Sequence, residues 1–174
     1  MVASGDPINA TDVTTLEDYT IRRPICRLIQ AAAQSVASNT DTAVTFGAGS
    51  EDIDTHGFHD TAANTSRITP TIAGYYQLTG VVSWAADTDI IRHDAVFAKN
   101  GSVVAPRNRF VTDSTATAAA ARMTYPVIAT LTANGTTDYF ELIANQLQAA
   151  AASLNTLVAG SSSSVFECMF LRPL

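Results

Sequence analysis

Gly74-Tyr75-Tyr76-Gln77-Leu78-Thr79-Gly80-Val81-Val82-Ser83-Trp84 alternates without a break. Tyr76, Leu78, Gly80, Val82 and Trp84 fall on one face, and Tyr75, Gln77, Thr79, Val81 and Ser83 on the other. A period of two belongs to a β-strand with one face against a core. A glycine in mid-strand, Gly80, predicts close approach of another backbone or of a large side chain.

The same pattern recurs on both sides of this run. Ile25-Cys26-Arg27-Leu28-Ile29 reads as a first strand, and Ala43-Val44-Thr45-Phe46, closed by Gly47, as a second. Residues 90–98 and 102–110 flank Lys99-Asn100-Gly101, and Asn-Gly between two strand-like runs is the strongest short hairpin signal. Residues 122–131 place Met123, Tyr125, Val127, Ala129 and Leu131 on one face. After a turn at Ala133-Asn134-Gly135-Thr136, Phe140, Leu142 and Ala144 oppose Glu141 and Asn145. Residues 165–171 form the last strand, with Phe166, Cys168 and Phe170 on one side and Pro173 ending it. About eight strands joined by turn chemistry predict an all-β sandwich or jelly roll. Residues 146–154, with four consecutive alanines, have good helix propensity and read as a loop or a short turn of helix. The alanine tracts at 31–33 and 118–121 suit either packing faces or permissive loops.

The chain has 174 residues, enough for one domain and a short appendage. Hydrophobic residues make up 47% and charged residues only 15%, against about 25% charged in a typical globular chain. That balance excludes whole-chain disorder. It also leaves little charge to solvate a monomer's surface, so part of that surface is expected to be covered by copies of the same chain or by a larger assembly. Net charge is −6, Lys99 is the single lysine, and no basic run exists. Nucleic acid is therefore excluded as a partner, as is an anionic membrane surface. No apolar stretch approaches the ~20 residues needed to span a bilayer, so no membrane insertion is expected. Residues 1–19 lack the charged start and apolar middle of a signal peptide, which predicts synthesis and folding in a cytoplasm.

Residues 1–24 read as an arm too short for a core of its own. Ser4-Gly5-Asp6-Pro7 is turn chemistry, Thr11-Asp12 caps a short helix through Asp18, and Arg22-Arg23-Pro24 ends it. Such an arm is either disordered or ordered by a partner.

Three features carry possible chemistry. Glu51-Asp52-Ile53-Asp54-Thr55-His56-Gly57-Phe58-His59-Asp60 offers two imidazoles and several carboxylates. His56 and His59 are weak metal candidates, since their spacing is not a zinc signature and no third ligand is evident; a hydrogen-bonded corner or a contact between subunits is the default. Cys26 and Cys168 read as two small buried thiols, with a bridge between the first and last strands as the sharper alternative. No nucleophile elbow, phosphate loop or dinucleotide fingerprint is present, so no catalytic residue and no cofactor are expected. The aromatics Tyr76, Trp84, Phe97, Tyr125, Phe140, Phe166 and Phe170 occupy alternating strand positions that suit core packing. Tyr75 lies on the opposite face, where it suits a partner or a contact between subunits.

Asp54-Thr55-His56-Gly57-Phe58-His59-Asp60, then Asn64-Thr65-Ser66-Arg67-Ile68-Thr69, then Gly74 to Gly80 with Trp84, resembles the globular-head jelly rolls of complement and tumour-necrosis-factor type, in the versions found in tailed bacteriophages and prophages. Lys99-Asn100-Gly101 matches that family's central hairpin, Asp138-Tyr139-Phe140-Glu141-Leu142 its penultimate strand, and residues 166–172 its last. The resemblance covers residues 25–174. It implies a jelly roll of about ten strands that assembles as a tight homotrimer. In that fold the first and last strands are neighbours, which would bring Cys26 and Cys168 together. Ser4-Gly5-Asp6-Pro7-Ile8-Asn9-Ala10-Thr11-Asp12-Val13 is similar to the N-terminal arms of phage minor tail and fibre proteins.

The expected protein is thus a non-enzymatic virion component made in a bacterial cytoplasm. It divides into an anchoring arm, residues 1–24, and a trimeric knob, residues 25–174. Pro7, Ile8, Val13, Leu16 and Tyr19 are the expected anchoring residues, and Tyr76, Trp84, Tyr125, Phe140, Phe166 and Phe170 the expected core or trimer-packing residues. Its partners would be itself, other tail or capsid proteins, and a host cell-surface molecule. A minor tail or tail-tip subunit facing the host is the leading role. A capsid decoration protein is the alternative, and a soluble carbohydrate-binding module a further one.

Overall fold

The computed structural model describes residues 23–111, 122–123, 126–159 and 162–174. In chain order its strands are β1 (Ile25–Ile29), β2 (Ser35–Val36), β3 (Thr42–Ala43), β4 (Glu51–Asp54), β5 (Arg67–Ile68), β6 (Ala73–Val81), β7 (Ser83–Trp84), β8 (Ile90–Lys99), β9 (Ser102–Val103), β10 (Asn108–Val111), β11 (Arg122–Met123), β12 (Val127–Asn134), β13 (Phe140–Gln148), β14 (Leu154–Asn155) and β15 (Val165–Pro173). No α-helix occurs among the described residues. Sheet I has the order β12-β6-β15-β1-β4. Sheet II has the order β10-β8-β13-β3, with β5 added to β13 and β9 to β8. The pairings β11–β7 and β14–β2 form two small ribbons. Every strand pair is antiparallel, and the first and last strands lie side by side, as a jelly roll requires.

The alternation places the two faces of β6 as the sequence predicts as far as Val81; beyond it the strand breaks, and Ser83, expected on the outer face, is buried with Val82 and Trp84. Tyr76 and Leu78 are fully buried, and Tyr75, Gln77, Thr79 and Val81 are half-buried on the outer side. β15 pairs with β6 so that Phe166, Cys168 and Phe170 stand opposite Gly80, Leu78 and Tyr76. The row faces sheet II, where Phe97 stacks on Phe166 with ring centres 5.5 Å apart, and Tyr76 meets Phe140 at 6.1 Å and Phe170 edge-on at 5.4 Å. Gly80 sits where a side chain cannot fit: a Cβ there would lie 2.7 Å from Leu142 Cδ1 and 3.1 Å from the Phe97 ring. Trp84, Phe140, Phe166 and Phe170 are buried with Tyr76 inside the sandwich. These side chains belong to the core within the single chain. Tyr125 lies outside the described residues, as do Pro7, Ile8, Val13, Leu16 and Tyr19.

The hairpin between β8 and β9 is a two-residue turn. Lys99 pairs with Ser102, and the turn residues Asn100 and Gly101 both have positive φ, 53° and 77°. That is the mirror-image turn whose twist matches a right-twisted ribbon. The returning strand breaks at residues 104–107, around Pro106, and resumes as β10.

Three expectations need correction. The second strand pairs regularly only at Thr42–Ala43; beyond it the Val44 N–H donates to the Leu142 carbonyl at 2.9 Å and the Phe46 N–H to the Thr65 carbonyl at 2.7 Å. Residues 122–131 are divided, with Pro126 lying between β11 and β12, since a proline cannot donate to the ladder. Residues 146–148 continue β13 rather than starting a helix, because pairing with β8 supplies their backbone partners, and the alanines form the turn that follows, with Ala151 at φ 53°. Propensity yields there to sheet pairing.

Candidate functional site

The outer face of sheet I follows from the register of its four longer strands. Ile29, Val165 and Val81 make one row. Arg27, Glu167, Thr79 and Ile128 make the next, and Ile25, Met169, Gln77 and Thr130 a third. Most of these side chains are half-buried, and Ile128 is 60% exposed. The charges within these rows are Arg27 and Glu167, which approach each other at 3.9 Å while Arg27 also reaches Asp52 at 3.3 Å. Tyr75, at the lower edge, carries the Arg172 guanidinium over its ring at 4.1 Å. This face is broad, neutral and apolar-rich. It is the surface that the low overall charge of the chain foreshadows.

The outer face of sheet II is different. β10, β8 and β13 bring Arg109, Asp94 and Asn145 into one cross-strand row. Asp94 is wholly buried there. Arg109 donates to it from Nε at 3.0 Å and Nη2 at 3.2 Å, and Arg92 Nε and Arg107 Nη1 stand 3.5 and 3.9 Å away. Arg107 donates two bonds to Asp41, at 2.8 and 2.7 Å, and the Asn145 amide donates to the same carboxylate at 2.7 Å. Arg92 Nη2 donates to Asn39 Oδ1 at 2.6 Å. The Arg107 guanidinium beside Asp41 holds that carboxyl below its ordinary range, and Asp41 raises Arg107 in return. Together with Thr40 these residues line an open cleft of about 530 Å³. Beside it, Val96, Ala98 and Ile143 form a small apolar patch partly covered by Ala43 and Ala105.

His56 and His59 sit at the corner after β4. The His59 N–H donates to Asp54 Oδ2 at 2.9 Å, and both His59 ring nitrogens face backbone carbonyls, Arg67 at 2.8 Å and Phe46 at 2.7 Å. His56 Nδ1 lies 2.8 Å from the Thr55 hydroxyl. The two rings are thus committed to different partners, and no group of three metal-ligating side chains occurs among the described residues. The cluster is built as a structural corner tying β4 to the turn before β5.

Cys26 and Cys168 stand directly opposite each other in the β1–β15 ladder, both wholly buried and both free thiols. Burial pushes both thiols upward, which favours the protonated form over the nucleophilic thiolate. The pairing sits at a hydrogen-bonded position of the ladder, since the flanking bonds Phe170 N–H to Pro24 carbonyl and Gln30 N–H to Ser164 carbonyl fix the alternation. Side chains are farther apart at such positions than at the intervening ones.

Similarity to solved structures agrees with this topology. The globular domain of a zebrafish complement 1qA protein superposes with a TM-score of 0.58 at 12% identity, over 87% of this chain and 99% of that one. Murine APRIL gives 0.61 at 11% identity, over 86% and 99%. Eiger TNF from S. frugiperda gives 0.57 at 11% identity, over 87% and 94%. The fold is therefore the jelly roll shared by complement globular heads and the tumour-necrosis-factor group. No protein-family model matches the sequence, and no curated protein does.

Proposed function

We propose that this chain is a non-enzymatic structural subunit of a tailed-phage particle, a homotrimeric jelly-roll knob held to the virion by residues 1–24. The observation that carries the trimer is the neutral outer face of sheet I. Its rows Ile29–Val165–Val81 and Ile25–Met169–Gln77–Thr130 leave apolar side chains half in water on a chain with only 15% charged residues. Obligate interfaces are more apolar than ordinary surface, and depletion of charge marks their centres. The phage setting is supported by the resemblance of residues 54–80 and of the Ser4–Val13 arm, and a position at the tail tip, facing the host, is the reading we favour.

Sedimentation of the full chain tests the assembly. The wild type is expected at three times the 18.3 kDa chain mass, and Val81→Arg at the monomer mass with its fold intact. A monomeric wild type at micromolar concentration refutes the trimer. Immunogold labelling of intact particles tests the setting: label at the tail tip supports a host-facing subunit, label over the head makes this a decoration protein, and unlabelled particles refute the virion role.

A further inference from the structure

The cleft on sheet II holds three guanidiniums against two carboxylates, one of them buried. Surface ion pairs contribute little to stability, and apolar side chains could have covered this face as they do at Val96, Ala98 and Ile143 a few ångströms along the same strands. The arrangement is better explained as preparation. Asp94 is inaccessible to solvent, so it can only serve the arginines around it. It fixes Arg109 through two bonds, and its Oδ2 also faces Arg92 and Arg107. Each guanidinium carries five N–H donors, and the bonds to carboxylates occupy two on Arg109 and two on Arg107. Arg92 Nε is buried and Arg92 Nη2 reaches Asn39 and Asn145, but the three arginine side chains, 21% to 48% exposed, line the cleft and carry further donors.

We infer that this cleft binds a singly charged acidic sugar, with the sugar carboxylate on the guanidiniums of Arg92, Arg107 and Arg109 and its hydroxyls on Asn39, Thr40 and Asn145. Three observations select that chemistry. The cleft carries one excess positive charge, which one carboxylate neutralises. Asp41, 41% exposed at its rim, repels a second negative charge and so disfavours phosphate and other dianions. The amide and hydroxyl groups beside the arginines are donor–acceptor groups of the kind that pair with hydroxyls, and about 530 Å³ admits a saccharide unit. The site needs no second subunit, so it stands whether or not the knob is a trimer and wherever it sits on the particle.

The test is saturation-transfer NMR and calorimetry on the full chain with galacturonate, glucuronate, galactose and inorganic phosphate. At least one uronate is expected to bind in the millimolar range, to bind at least about tenfold more tightly than galactose because hydrogen bonds to charged groups are the stronger ones, and to weaken as salt is raised. Arg109→Gln is expected to abolish binding. Because that change also loosens Asp94, Thr40→Glu serves as the second variant: it adds a negative charge at the exposed rim, leaves every ion pair in place, and is expected to weaken the uronate and not the fold. No binding of either uronate, equal binding of galactose, phosphate binding as tight as the uronate, or indifference to Thr40→Glu would each overturn the assignment.

Discussion

Gly80→Ala puts the packing between the two sheets to a quantitative test. The new methyl carbon would lie 2.7 Å from Leu142 Cδ1 and 3.1 Å from Phe97 Cε1 and Cζ, whereas unstrained carbon pairs sit at about 3.5–4.0 Å. Forcing an extra carbon into a filled core costs about 1–3 kcal/mol. Gly80 does not use a positive φ, so alanine also recovers about 0.5–1 kcal/mol of backbone entropy. The net expectation is a loss of about 0–2.5 kcal/mol. Leu142→Ala alone removes the clashing carbon and costs about 2–5 kcal/mol as a cavity. In the double variant the two defects fill one another, so the sum of the single costs should exceed the measured cost by about 0.5–3 kcal/mol. Urea melts of all four proteins, at one fixed protomer concentration because association shifts the midpoint, give the cycle. Additivity within about 0.5 kcal/mol would mean that Gly80 and Leu142 do not meet, and the facing of sheet I on sheet II would be wrong.

Truncating Asp94 to alanine strands the guanidiniums around it; since they are partly exposed and can rehydrate, the expected cost is about 1–3 kcal/mol, and a urea-melt change below about 0.5 kcal/mol would show that Asp94 anchors nothing. Cys26 and Cys168 should resist a thiol reagent in the native protein and react fully in denaturant; rapid native labelling would contradict their burial. Asp138 accepts bonds from Asn100, Lys99 and the Asn134 N–H, and the first two hold its carboxyl below the ordinary 3.8. Its contribution is therefore complete above the unfolded value and is lost as pH falls through the lower folded value. Thermal melts between about pH 5 and pH 2 should show a smaller loss for Asp138→Asn than for the wild type; parallel curves would remove the clasp from the acid response.

What was legible in the sequence depended on whether its cause is local. The two faces of β6 are written in a period of two, and Asn100-Gly101 announces its turn because few residues tolerate positive φ. The meeting of Cys26 with Cys168 came from the implied topology, not from the cysteines. His56 and His59 are crowded in sequence, yet crowding says nothing of where ring nitrogens point, and backbone carbonyls of Phe46 and Arg67 claim both of those on His59. The arginine cleft is hidden in the sequence for the opposite reason. Its residues come from four stretches, at 39–41, 92–94, 107–109 and 145, and only ladder register joins them. The available signal was Arg92-His93-Asp94 and Arg107-Asn108-Arg109, two charged pairs at a spacing of two that put like faces outward on neighbouring strands.

The outer faces of the two sheets solve opposite problems. Sheet I presents rows in which Arg27, balanced by Glu167 and Asp52, interrupts apolar and neutral side chains, a surface whose exposure to water gains nothing. Sheet II gathers Arg92, Asp94, Arg107, Arg109 and Asp41 into one cleft on a chain that has few charges to place anywhere. Were sheet I turned inward around a threefold axis, sheet II would face outward in every subunit, and each knob would display three clefts on a rigid base. A millimolar site for one sugar unit is weak alone. Three such sites held at fixed spacing against a repeating acidic surface make the second and third contacts intramolecular, and avidity then exceeds the single-site affinity by about 10²–10⁴. In that arrangement the division of labour between the sheets would let so small and sparsely charged a chain combine self-assembly with recognition.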